Sequence, residues 1–163
     1  MISVGDVVVY GTSGVCRFNG TVTKKTAFGT SEYFEFVSCR DNSNRTYMPK
    51  KEELLKKVRH VMTHDEALDV VKSTMKKDVI LIANDEERNN KFSAMLKEND
   101  CASTVLIVRS LHALQKEREA RGNHLHSADE RMLRLAQRLA DDELSYALGI
   151  DRDSVAKFVH EFE

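Results

Sequence analysis

The sequence predicts an α+β protein, with a small N-terminal β-domain of SH3 or Tudor type followed by an all-α bundle of about five helices. Two observations carry this prediction. Before Pro49, β-branched and aromatic residues form short runs between clusters of Gly, Asn, Asp and Ser, as in strands joined by turns. After Pro49, the only proline, apolar residues recur at helical spacing. We place the two domains at residues 1–55 and 56–163.

Four or five short strands are predicted in the first domain. The dipeptide Asn19-Gly20 interrupts the second of them and is typical of either a tight turn or a bulge. So many strands in so short a segment indicate a strongly curved sheet. The clearest strand candidates are residues 7–10, 15–22, 33–37 and 45–48.

Capping patterns mark the helices of the second domain. Thr63 and Glu66 have the spacing of a capping box, and Ser127 and Glu130 repeat it. A weaker helix is predicted over residues 84–98. Further boundaries are predicted from residue types favoured at helix ends, with Asp100 and Asp151 as N-caps and Gly122 and Gly149 as C-terminal stops.

Composition and charge restrict the classes of function. The chain is 41% hydrophobic and 31% charged, which is enough apolar content for a packed core. Residues 1–59 hold ten Lys and Arg against six Asp and Glu, whereas residues 60–163 hold fifteen against twenty. The helical half therefore has a net negative charge, whereas a purely electrostatic DNA-binding domain is basic. This average does not exclude a local basic face.

Neither a secretory leader nor a membrane span is predicted. The first residues lack a basic leader and a long apolar stretch, so we expect a cytoplasmic protein without membrane contact. Three widely spaced cysteines without a C-x-x-C pair favour buried apolar thiols over a disulfide or zinc framework. These residues are Cys16, Cys39 and Cys101.

Motifs for catalysis, cofactors and metals are not found in the sequence. No phosphate-binding glycine motif is present, and His124 and His126 lack an acidic or thiol partner at ligand spacing, which favours a solvated loop. The acidic runs 85–87 and 141–143 are typical of solvated faces or helix starts. We expect no enzyme activity, no cofactor and no metal. A small enzyme stays the rival hypothesis, and it requires a buried cluster of titratable groups in a pocket.

The strand at residues 45–48 is the best candidate for a binding surface. Alternation places Arg45 and Tyr47 on one side of it, and the adjoining Pro49 favours an edge strand. Arg and Tyr often anchor protein interfaces, and edge strands can recruit a partner's strand. Lys24 and Lys25 end an earlier strand. Ordinary polar exposure is the alternative interpretation of this pattern.

Six segments of the chain together carry a family resemblance: residues 4–10, 14–15, 32–33, 48–49, 127–133 and 139–149. Taken in this order, they resemble the CarD/CdnL family of bacterial RNA polymerase-binding transcription factors. The resemblance implies an N-terminal domain like the polymerase-interacting domain of transcription-repair coupling factors, which binds the RNA polymerase β subunit. It also implies a helical domain that meets promoter DNA near the upstream edge of the melted region and stabilises the open complex.

Carried over by position, the resemblance assigns a polymerase-binding surface. The family often has an Arg where this chain has Tyr47, and Arg45, two residues earlier and on the same face, is our hypothesis for its substitute. The assigned residues are one or both of Lys24 and Lys25, with the choice between them open, and Arg45, Tyr47, Met48 and Pro49.

The expected DNA-binding side departs from the family pattern. Well-studied members place a Trp at a helix start, followed by Arg residues, as a wedge in the minor groove. This chain has no Trp, and that position is Asp85, followed by Glu86 and Glu87, which phosphates repel. Arg88 is the only matching Arg. With Arg88, the remaining basic candidates on that helix are Lys91 and Lys97.

Two functional hypotheses follow from these residues. The first is a transcription regulator that binds the RNA polymerase β subunit and modulates promoter open-complex stability, with DNA contact that is weaker or made elsewhere. The second is a protein-interaction adaptor without DNA contact. The absence of the Trp wedge is the sequence feature that favours the second.

Overall fold

In the computed structural model, which describes residues 1–163, an antiparallel sheet precedes most of the helices and confirms the α+β class. Five helices follow the sheet, as the helical pattern predicted. None of the helices is long and apolar enough to cross a membrane. The strands are β1 (Val7–Tyr10), β2 (Val15–Thr26), β3 (Gly29–Ser38), β4 (Arg45–Pro49) and β5 (Val58–His60). The helices are α1 (Glu52–Leu55), α2 (His64–Met75), α3 (Asp85–Lys97), α4 (Cys101–Ala120), α5 (Ser127–Leu148) and α6 (Arg152–His160).

The chain divides into two compact units, Met1–Val61 and Met62–Glu163. The prediction from the sequence placed the division after residue 55, which assigned residues 56–61 to the helical domain. In the structure that stretch holds β5, which pairs antiparallel with β1 and so belongs to the sheet. The backbone hydrogen bonds of β5 therefore fix the end of the N-terminal unit.

The sheet of the N-terminal unit has the strand order β4-β3-β2-β1-β5, so β4 and β5 are its two edges. The pairing of β2 with β3 shifts register between Phe18 and Gly20, which identifies Asn19-Gly20 as a bulge rather than a turn. Gly20 has a φ of 96°, a conformation that favours glycine. One face of the sheet forms the core, made of Val8, Cys16, Phe18, Phe34, Phe36, Met48 and Val58.

The helical unit is organised around two apolar clusters. Residues of α2, α4, α5 and α6 form one cluster, and residues of α3, α4 and α5 form the other, so α4 and α5 take part in both. The predicted capping box at Thr63 and Glu66 is confirmed in both of its hydrogen bonds. The Asp100 side chain accepts from Ser103 N, and Gly149 ends α5 with a φ of 68°. These local signals were strong enough to place the helix ends.

Two local predictions in this unit are wrong. Helix α5 begins at Ser127 itself, with His126 as N-cap and no side-chain capping bond, so Ser127 and Glu130 form no capping box. The run 141–143 is not a solvated face, because Asp142 and Glu143 are 4% and 3% exposed. Arg152 Nε of α6 lies 2.8 Å from Asp142 Oδ1 and supplies its counter-charge.

Candidate functional site

Strand β4 presents its side chains as the alternation predicted. Arg45 and Pro49 are exposed and Tyr47 is half-buried, on the face away from the core. Met48 points the other way, is 2% exposed and lies opposite Phe34 in the core. Because strand residues alternate between faces, the Met48 side chain lies in the core and cannot contact a partner. The prediction that Met48 is a polymerase-binding residue is therefore wrong for its side chain.

A buried carboxylate lies beneath this face. Glu35 of β3 is directly opposite Tyr47 in the strand register, and its side chain is 8% exposed. Arg45 Nη1 donates to Glu35 Oε1 at 2.9 Å, and Asn19 Nδ2 of β2 donates to the same oxygen at 2.5 Å. Tyr47 provides a further side-chain hydrogen bond. The two strands on either side of β3, β2 and β4, thus both contribute donors to one carboxylate.

These donors determine the ionisation of Glu35. The hydrogen bond from Asn19 is the largest influence that lowers the pKa of Glu35 below its ordinary value of 4.5, while burial acts in the opposite direction. The charge of Arg45 and the hydrogen bonds of Tyr47 and Arg45 lower the pKa further. Glu35 is therefore a carboxylate at neutral pH, and its negative charge is compensated within the sheet.

Lys24 and Lys25 lie on opposite faces of β2. The Lys24 ammonium is 3.1 Å from the centre of the Tyr47 ring, which is a cation–π contact. Lys25 is the next residue along the strand and points to the other side, where it is exposed. The structure thus brings Lys24, Arg45 and Tyr47 together and leaves Lys25 apart from them.

Sequence reasoning missed Glu35 and Asn19. Glu35 alternates with the core residues Phe34 and Phe36, so its outward direction was readable from the strand pattern. Its partners were not readable, because they depend on the pairing register of β2, β3 and β4 and on the bulge at Asn19.

The basic candidates on α3 separate into buried and exposed residues. Arg88 is 2% exposed, and its guanidinium bonds Asp129 of α5, Asp85 of its own helix and the main-chain oxygen of Ile82. A guanidinium enclosed in this way is not available to a phosphate. Arg88 is therefore no longer a candidate DNA-binding residue. Lys91 and Lys97 are exposed and stay in it as predictions.

Asp85 connects Arg88 and Asp129 to two further basic groups, and these residues together form one charged cluster. His126 Nδ1 lies 2.6 Å from Asp85 Oδ2, and Arg118 Nη2 lies 3.4 Å from Asp85 Oδ1. The hydrogen bonds from Arg88, first, and from His126 lower the pKa of Asp85 from 3.8 to about 2. His126 is therefore not simply a solvated loop residue, because its ring holds the start of α3.

The cluster also has the residue types of a metal site. Ligand atoms of Asp85, His126 and Asp129 all lie within 4.8 Å of one another. The Arg88 guanidinium lies among them and donates to both carboxylates, and Arg118 adds a second positive charge beside Asp85, so the two negative charges are already compensated. The arrangement is accounted for by an arginine–carboxylate network that joins the starts of α3 and α5.

Fold and surface together describe an N-terminal β-domain with Arg and Tyr side chains on an edge strand and a Lys in contact with the Tyr ring. Arg and Tyr side chains and an edge strand are features of protein-interaction domains. Residues 2–61 match the family of the CarD-like/TRCF RID domain, an RNA polymerase-interacting domain. The match covers the N-terminal unit and confirms the resemblance for the segments that lie within it. The family is in general non-enzymatic. No curated protein matches the chain.

Proposed function

We propose that this protein is a transcription regulator that binds the RNA polymerase β subunit through β4 and modulates the stability of promoter open complexes. The observation that carries the proposal is the position of β4 at the edge of an RNA polymerase-interacting domain, with Arg45, Tyr47 and Lys24 on one face. An edge strand can pair its main chain with a partner's strand while alternate side chains provide specificity.

Arg45, Tyr47 and Lys24 form what we call the β4 surface. The exposure of Arg45 and its unused hydrogen-bond donors support its role as the anchor of this surface. Its side chain is 46% exposed, and only Nη1 is engaged within the chain. A guanidinium carries five N–H donors, so the donors on Nε and Nη2 are free for an acceptor on the polymerase. Arg and Tyr at the centre of an interface commonly supply most of its binding energy.

Affinity capture with charge-reversed variants tests the proposal. The wild-type chain should retain RNA polymerase, and Arg45→Glu should lose it, because the reversed charge lies beside Glu35 and meets the partner's acceptor. Lys56→Glu is the matched control, since Lys56 is an exposed residue of the same unit and the charge change is identical. Retention by a folded Arg45→Glu variant at the wild-type level would rule out β4 as the docking edge.

The effect on promoters needs a separate measurement. We expect the lifetime of the open complex, after addition of a competitor that traps free polymerase, to change when the wild-type chain is present. Arg45→Glu should give the lifetime seen without the protein. If polymerase binds the chain but the lifetime does not change, then modulation of the open complex is wrong while polymerase binding stands.

A second candidate function is an adaptor that binds polymerase without touching DNA. The observation that favours it is the start of α3, where Arg88 is enclosed and Glu86 and Glu87 are exposed. Phosphate oxygens are repelled by such an acidic helix start.

The salt dependence of DNA affinity separates the two candidates. If Lys91 and Lys97 contact phosphates, each replacement by Ala should reduce the slope of log K against log salt by about 1. Lys116→Ala, at an exposed lysine of another helix, is the control. Absence of DNA binding at low salt would favour the adaptor.

A further inference from the structure

We infer that Glu35 is the positioning residue of the β4 surface: its buried carboxylate fixes Arg45 and Tyr47 in the arrangement that meets the polymerase. This inference rests on the proposed function and adds to it a residue that does not itself contact the partner. Glu35 lies on β3, a strand paired on both sides. A carboxylate there is held by the backbone of the sheet interior rather than by a loop.

The burial of Glu35 is the first argument. Glu35 points away from the apolar core, yet only 6% of the residue is exposed, because side chains of the flanking strands cover it. Burying a carboxylate is costly unless it is paired and hydrogen-bonded. The charge of Glu35 therefore favours conformations in which Arg45 and Tyr47 keep their donors on it.

The local backbone is the second argument. In the register, Glu35 lies between Tyr47 on β4 and Gly20 on β2. Gly20 places no side chain beside the carboxylate, and the bulge brings the Asn19 amide to Glu35 Oε1. The carboxylate is thus fixed from the β2 side, independently of β4, before Arg45 and Tyr47 are considered.

The consequence for binding is preorganisation. A free arginine side chain loses much rotamer freedom when a partner immobilises it, and a side chain already held loses less. Glu35 holds Arg45 by one nitrogen and leaves Nε and Nη2 for the partner. Tyr47 is held between the Glu35 side chain and the Lys24 ammonium. Loss of the Glu35 charge should loosen both contact residues without removing either.

The test is the affinity of Glu35→Gln for RNA polymerase. We expect binding about 10-fold weaker than wild type, because the neutral amide no longer attracts the guanidinium. Glu32→Gln is the matched control: Glu32 lies on the same strand, on the opposite face, and has its own ion pair with Lys50 at 3.1 Å. Its affinity should stay within about twofold of wild type.

A double-mutant cycle separates positioning from a general structural effect. In an Arg45→Ala background, Glu35→Gln should weaken binding much less than it does in the wild type. The reason is that the main side chain positioned by Glu35, the Arg45 guanidinium, is then absent. An equal loss in both backgrounds would overturn the inference. If Glu35→Gln does not fold, Asn19→Ala removes the support of the carboxylate instead, and the same non-additivity with Arg45→Ala is expected.

The outcomes distinguish this inference from the proposed function. If the wild type does not bind polymerase, both are wrong. If the wild type binds and Arg45→Ala weakens binding, but Glu35→Gln and Asn19→Ala have no effect, then β4 is the docking edge and Glu35 does not position it.

Discussion

Arg88 of α3 and Asp129 of α5 form a two-point ion pair inside the helical unit, with Nε 2.9 Å from Oδ1 and Nη2 2.5 Å from Oδ2. Their side chains are 2% and 6% exposed. The pair joins the first turns of the two helices, and its two residues are 41 positions apart in the sequence. Arg88 therefore stabilises the helical unit at the position where sequence comparison suggested a DNA contact.

Replacement of Arg88 by Ala should destabilise the helical unit strongly. Removing one partner of a buried ion pair leaves an uncompensated charge and typically costs about 3–5 kcal/mol. Arg88→Lys should not restore the stability, because an ammonium cannot reproduce the two-point geometry. Urea denaturation measures the change. Lys91→Ala, at an exposed position of the same helix, should change the free energy of unfolding by less than about 0.5 kcal/mol. A stable Arg88→Ala variant that loses only DNA affinity would contradict this assignment.

The ionisation of Asp85 should make stability depend on acid pH. Its pKa is lowered from 3.8 to about 2, so the folded state releases this proton more readily than the unfolded state. The resulting stabilisation is present above about pH 4 and is lost as the pH falls toward about 2.

Asp85→Asn is the variant that tests this dependence. It should be less stable than wild type at neutral pH, and the difference should shrink as the pH falls from about 4 to about 2. Denaturant titrations at several pH values measure it. Glu86→Gln, at the exposed neighbouring position, should have little effect on stability at neutral pH. A difference for Asp85→Asn that is constant with pH would show that the charge of Asp85 is not the cause.

Replacing Lys24 and replacing its neighbour Lys25 should have different effects on the free energy of unfolding. Lys24→Ala removes the cation–π contact with Tyr47 and should lower the free energy of unfolding by about 0.5–1 kcal/mol. Lys25→Ala removes an exposed side chain on the other face and should change it by less than about 0.5 kcal/mol. Equal effects of the two variants, or an unchanged Lys24 effect in a Tyr47→Leu background, would show that the contact contributes nothing.

The candidate site was partly predictable from the sequence. The direction of Arg45 and Tyr47 followed from strand alternation, and Pro49 indicated an edge strand before any pairing was known. The same alternation placed Met48 on the inner face, but the family resemblance assigned it to the surface. The choice between Lys24 and Lys25 stayed open, because a bulge at Asn19 changes which residues of β2 share a face.

What the sequence alone determined are the features that depend on residues close together in the chain. Strand and helix periodicity, the capping box at Thr63, the stop at Gly149 and the α+β class are all of this kind. What only the tertiary structure decided are the partners of charged groups. Glu35 with Asn19 and Arg45, Arg88 with Asp129, and Asp142 with Arg152 each join different elements. Whether a charge is a binding group or a structural one depends on burial and on its counter-charge, and long-range packing sets both.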